Sequence, residues 1–121
     1  MRYMLLIYSR EGEMSAEEEK AVAMTHRAVM NEATQKGIFH GAEPLQPTAT
    51  ATTVRRRRDG QVLVIDGPFA ETKEQLAGYY ILDCGNVEEA IEWARKIPTS
   101  CQGCEGSVEI RPIRAMTLSE E

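Results

Sequence analysis

Three side chains in this sequence could carry chemistry if the fold brings them together: the Asp66 carboxylate, the His26 imidazole and the Arg55 guanidinium. A carboxylate or imidazole can act as acid, base or ligand anchor, an imidazole titrates near neutral pH, and a guanidinium fork grips an acidic group at two points. The dipeptide Asp59-Gly60 tolerates the positive backbone angles of a two-residue turn, so segments 50–57 and 61–66 are expected to pair as a hairpin. That register sets Arg55 opposite Val64 and Thr53 opposite Asp66, with all four on one face. Arg55 then lies diagonally from Asp66 at roughly 7 to 8 Å, within reach of a long side chain. A structural account competes with the chemical one. Asp66 ends a strand and Pro68 lacks an amide, so the carboxylate can cap the Phe69 amide while Arg55 balances its charge.

His26 falls on the apolar stripe of an expected helix, where a histidine is commonly a hydrogen-bonded core residue, but from which it could face the Asp66 corner. His40, beside Gly41, is a weaker candidate. Glu71 and Lys73 follow the Gly67-Pro68 turn and could rim a binding pocket or pair with each other on the surface, where such a pair stabilises little. The run Arg55 to Arg58 reads as a charged hairpin tip, because strand alternation sends two side chains to each face and dilutes a phosphate patch. Cys101-Gln102-Gly103-Cys104 has the spacing of a redox or zinc pair, yet it follows a helix and a proline instead of opening a helix, and no second pair accompanies it. Loop cysteines with reduced thiols are the expectation. No Gly-x-Gly-x-x-Gly, phosphate-binding loop or Gly-x-Ser-x-Gly elbow is present, so no cofactor and no metal is expected.

Positioning these groups requires a scaffold. Residues 2–8 are apolar on both alternating sets, as in a central strand covered on two sides. Ser15 and Glu18 form a capping box for a helix over about 16–36 with a stripe of Val22, His26, Val29 or Met30, and Ala33, ended by Gly37. A strand over 38–45 stops near Pro44 to Pro47, and the hairpin follows. Thr72 and Gln75 predict one capped helical turn before a strand over 78–84 inside the sheet. Asn86 caps a second helix with a Val87, Ala90, Ile91, Ala94 and Ile97 stripe, and Pro98 lies beyond it. Residues 107–113 read as an edge strand, and 116–121 as a frayed tail after a single domain over 1–115.

The order strand, helix, strand, hairpin, strand, helix, strand matches an α+β, ferredoxin-like βαββαβ core with an inserted β-hairpin. Two helices cover only one face of such a sheet, yet Met4 and Leu6 alternate with Leu5 and Ile7, so a homodimer is expected to cover the other. The chain has 121 residues, 42% hydrophobic and 27% charged, which fits one core. A net charge of −5 disfavours nucleic acid as a partner. The absence of a long apolar run or leader pattern disfavours a membrane, and the odd count of three cysteines points to a cytoplasmic protein.

The stretch Asp66-Gly67-Pro68-Phe69-Ala70-Glu71-Thr72-Lys73-Glu74-Gln75-Leu76-Ala77-Gly78-Tyr79-Tyr80 is similar to the signature of the YCII-related, DGPF-type family. Residues 3–8, 50–55, 89–94 and 108–112 also resemble that family, so the likeness covers nearly the whole chain. It implies a ferredoxin-like dimeric α/β barrel and an undetermined function. It also implies a helix histidine and an acidic residue suspected of catalysis, for which His26 and Asp66 are the matching positions, and an association with extracytoplasmic-function sigma factors. The arginine run and the Cys101-Cys104 loop depart from the pattern.

Two functions follow. In one, Asp66 and His26 perform acid/base work while Arg55, Glu71 and Lys73 hold a small acidic metabolite. In the other, the chain is a noncatalytic regulatory module whose ordered 67–75 segment docks a protein partner.

Overall fold

The first strand alternates buried Tyr3, Leu5, Ile7 and Ser9 with half-buried Met4, Leu6 and Tyr8. A pleated chain sends successive side chains to opposite faces, so one set enters the core and the other lies on a partly covered surface. A computed structural model of the chain describes residues 1–101 and 104–116. The elements run β1 (Arg2–Ser9), α1 (Ala16–Gln35), β2 (Phe39–Pro44), β3 (Thr52–Arg56), β4 (Val62–Asp66), β5 (Gln75–Asp83), α2 (Val87–Lys96) and β6 (Gly106–Pro112). The expected tail beyond Met116 lies outside the described residues.

The architecture is mixed α+β with antiparallel sheets. Strands β2, β5, β1 and β6 form one sheet in that spatial order, while β3 and β4 form a separate two-stranded sheet. The order is compatible with a ferredoxin-like fold, with β1 and β5 inside the sheet and β6 on its edge, as the sequence pattern expects. Between β1 and β5 the register sets Tyr3 against Leu82 and Leu5 against Tyr80, which puts these four on one face. Both helices lie on that face: Val29 and Ala33 of α1 and Ala90 and Trp93 of α2 join the same core, in which Leu5 and Leu82 are fully enclosed. On the opposite face Met4, Leu6, Tyr79 and Ile81 remain half-buried. Gly78 in β5 allows β2 to approach closely, since a Cβ there would sit 2.7 Å from the Glu43 carbonyl oxygen.

Local signals explain the helix ends. The Ser15 hydroxyl accepts from the Glu18 amide and the Glu18 carboxylate accepts from the Ser15 amide, which satisfies two free donors of the first turn. After the helix Gly37 adopts φ +73°, a left-handed angle that a side chain would disfavour. Asn86 caps α2 through the Glu89 amide, and the Glu89 carboxylate accepts from the Gly85 amide.

Three expectations are corrected. The α2 stripe is rotated: Trp93, Ala90 and Ile97 are buried, whereas Val87 and Ile91 face outward at 43% and 38% exposure. Trp93 offers more apolar area than either, and the helix turns to bury it. The helical turn at 72–75 does not form; Gln75 is already the first residue of β5, and its side-chain amide donates to the Thr72 carbonyl. Finally, Cys101 and Cys104 are joined as a disulfide, with Cα atoms 5.3 Å apart, in place of the reduced thiols expected. Replacing Trp93 by Ala should cost about 3 to 5 kcal/mol of stability, and Val87→Ser less than about 1 kcal/mol. Urea titration of both variants distinguishes this rotation from the stripe read in the sequence.

Candidate functional site

Tyr80 is 2% exposed, so its hydroxyl must find a partner inside the protein. The β1–β5 register points Tyr80 toward the helices, and the α1 stripe carries His26 to meet it. His26 Nδ1 lies 2.7 Å from the Tyr80 hydroxyl, with ring centroids 5.7 Å apart. The His26 carbonyl, at 3.4 Å, is a second and longer acceptor for the same hydroxyl. Burial lowers the His26 pKa from its usual 6.5 and pushes Tyr80 up to about 12. Both groups are therefore neutral near pH 7. Two proton arrangements satisfy the pair: the phenol donates to Nδ1 and the ring proton sits on Nε2, or Nδ1–H donates to the phenol oxygen and the phenol donates to the His26 carbonyl.

His26 and Tyr80 line a cavity of about 510 Å³ between α1 and the β2–β5 side of the sheet. Its walls are mainly apolar, with Val22, Met30 and Leu45 among them, and its other polar groups include Ser9, Glu19, Glu43 and Thr99. Among the described residues, no lysine or arginine lines it. A concave, apolar chamber with a few polar groups is the usual form of a small-molecule site. Within it, the tyrosine–histidine pair can hydrogen-bond a ligand or pass a proton between ring and phenol, and the two glutamates favour neutral or cationic ligands over anions.

The structure does not bring the other sequence-derived candidates to this cavity. Arg57 donates its amide to the Gln61 carbonyl and Gly60 donates to the Arg57 carbonyl, so the loop holds three residues, with Gly60 at φ +90°. This extra residue shifts the register by one. Thr52, not Thr53, faces Asp66, and Arg55 faces Leu63. Since a one-residue slip exchanges the faces, Asp66 and Arg55 lie on opposite sides of the hairpin, and the predicted diagonal pair does not form. Asp66 is exposed and, among the described residues, caps no amide; the Gly67 amide bonds instead to the Ala51 carbonyl and the Thr53 hydroxyl to the Gly67 carbonyl. Glu71 and Lys73 are exposed and, among the described residues, form no ion pair. His40 Nε2 lies 3.7 Å from Asp83, which also binds the N-terminal amino group at 2.9 Å. Arg55 to Arg58 together line a second concavity, on the hairpin.

Sequence reading passed over Tyr80, treating it as strand filler. The signal was available: in β5 it shares parity with Leu82, a core residue, so its hydroxyl had to meet a polar group on a helix stripe, and His26 was the imidazole there. Cys84, also buried, is no nucleophile candidate, because burial and nearby carboxylates push its thiol up.

A two-layer α+β chain with a pocket between one helix and its sheet is a class shared by many proteins of unrelated function. Comparison with known sequences narrows this. The profile of the YCII-related domain matches residues 1–117, and the chain belongs to that family. It is 39% identical over 116 residues to an uncharacterized protein of Rhizobium meliloti (strain 1021), covering 93% of this chain and 92% of that one.

The half-buried imidazole gives the site a pH signature. Because the folded pKa of His26 lies below 6.5, the unfolded chain takes up the proton first. The stability held by neutral His26 is full above 6.5 and is lost as pH falls from there through the folded value. Urea midpoints measured from about pH 7.5 to about 5 should fall with this slope in the wild type, and His26→Gln should flatten it.

Proposed function

We propose that this chain binds a small neutral or cationic organic molecule in the cavity beside α1 and that His26 and Tyr80 exchange a proton with it. One observation carries the reading: a half-buried, neutral imidazole hydrogen-bonded to a buried phenol on the wall of a cavity large enough for a small molecule. With Tyr80 donating to Nδ1, the Nε2–H can donate to a ligand carbonyl or hydroxyl. Proton uptake at the ring runs through Tyr80, which passes its proton to Nδ1 as it receives one from the ligand. The acidic metabolite expected from Arg55 does not match this cavity, where Glu19 and Glu43 would repel it.

The same reading includes a homodimer of ferredoxin-like subunits, a dimeric α/β barrel, packed through the sheet face away from the helices. Met4, Leu6, Tyr79 and Ile81 support it, since an apolar sheet face without a helix is stabilised by a second apolar layer. A second reading, the noncatalytic docking module, draws support from Phe69, which stands 83% exposed after the Gly67-Pro68 turn, with Asp66, Glu71 and Lys73 exposed around it. In that reading the 67–75 segment meets a protein partner, such as a component of sigma-factor regulation.

Fragment screening by protein-observed NMR tests the first reading. Hits should shift resonances around His26 and Tyr80, weaken about tenfold or more in His26→Ala and Tyr80→Phe, and persist in Asp66→Ala. Hits that instead depend on Asp66 and ignore His26 would remove the cavity from the function. Sedimentation tests the assembly: a dimer in the wild type that becomes a folded monomer in Leu6→Asp supports the sheet interface, and a wild-type monomer at all concentrations overturns it.

A further inference from the structure

The arginine run at the hairpin tip is the largest concentration of like charge in the chain, and the cavity chemistry leaves it unused. The strand register places Arg55 across from Leu63, and Arg57 continues the same alternation two residues on, beside Gln61. Arg58 occupies the turn. Strand alternation alone would send Arg56 to the other face, yet all four arginines line one concavity of about 560 Å³, whose floor is Leu63 and Ile65. Among the described residues no carboxylate lines the concavity, and none forms an ion pair with any of the four guanidiniums. Ile65 remains 41% exposed beneath them.

We propose that this concavity binds a compact organic oligophosphate, with its phosphates on the guanidiniums and its organic body on Leu63 and Ile65. Four physical arguments select that class. Guanidinium forks match phosphate oxygens in pairs and hold their charge at any physiological pH. Four adjacent positive charges are balanced by a chain of about three phosphates, which carries about four negative charges near neutral pH, better than by a mono- or dicarboxylate. The patch is also an island: with a net charge of −5 for the chain, the residues outside Arg55–Arg58 sum to −9. A long polyanion would run from the patch onto a repelling surface, whereas a short one is held within it. The apolar floor adds a place for a planar or aliphatic group that inorganic phosphate lacks.

Isothermal titration calorimetry of the full chain at low salt, with ATP, inorganic tripolyphosphate and citrate as probes, tests this. ATP should bind most tightly, tripolyphosphate more weakly and citrate weakest, and added salt should weaken all three. The paired substitutions R55A and R57A should abolish ATP binding. The pair R55K and R57K keeps the charge and the strand but loses the planar forks, and should weaken ATP about tenfold. Equal affinity for ATP and tripolyphosphate overturns the organic body, and unchanged affinity in the lysine pair overturns the specific site. Absence of ATP binding, with the alanine pair dissociating a dimer instead, overturns the proposal in favour of a contact between copies of the chain.

Discussion

The packing of Leu5, Tyr80 and Leu82 beneath the two helices is the constraint on which the site depends. Leu5 and Leu82 are fully enclosed, and Tyr80, paired with Leu5 across β1 and β5, is drawn into the same layer by its ring. Its hydroxyl travels with the ring. An unpaired hydroxyl in that layer would carry a desolvation penalty of about 1 to 3 kcal/mol, so the helix above it must supply an acceptor. His26 does so, one turn before the buried Val29. The hydrophobic layer and the polar pair are thus one arrangement, and the neutral state of both groups follows from the burial that holds the sheet to α1.

The hairpin obeys a different rule. Among the described residues it pairs with no strand of the main sheet, so no core dictates which of its faces is inside, and its register rests on the turn. One extra residue in the loop, with Gly60 in the left-handed region, exchanges the faces of one strand relative to the other. The same change that separates Arg55 from Asp66 aligns Arg55 with Arg57 over Leu63 and Ile65. A polar corner expected at the strand end is replaced by a basic concavity toward the tip. The α1 cavity and the hairpin concavity therefore differ in electrostatic character: glutamates and a neutral imidazole in one, guanidiniums in the other.

Much of the scaffold was legible from side-chain order. Ser15 with Glu18, Gly37 and Asn86 with Glu89 marked helix ends because capping is decided within a few residues. The strand-helix order led to the observed sheet order because short connections leave few alternatives. The α2 stripe was misread because Val87, Ile91 and Trp93 compete for one face, and the winner is set by the sheet beneath them. The Thr72–Gln75 pattern suited either a helical turn or a strand entry, and the ladder to Ser9 at the start of β5 settled it. His26 was legible as a candidate; its partner was not sought, because Tyr80 lies 54 residues away in sequence.

The amino-acid order by itself determined the helix boundaries, the alternation of β1 and β5, the presence of a hairpin around Asp59-Gly60 and the family, because each is written in residues close together or in a continuous signature. Only the tertiary structure decided which imidazole meets which hydroxyl, which face of α2 is buried and which side of the hairpin carries Arg55. Those outcomes depend on groups far apart in the chain competing for one space, and on a loop geometry that two adjacent residues leave open between a two-residue and a three-residue turn.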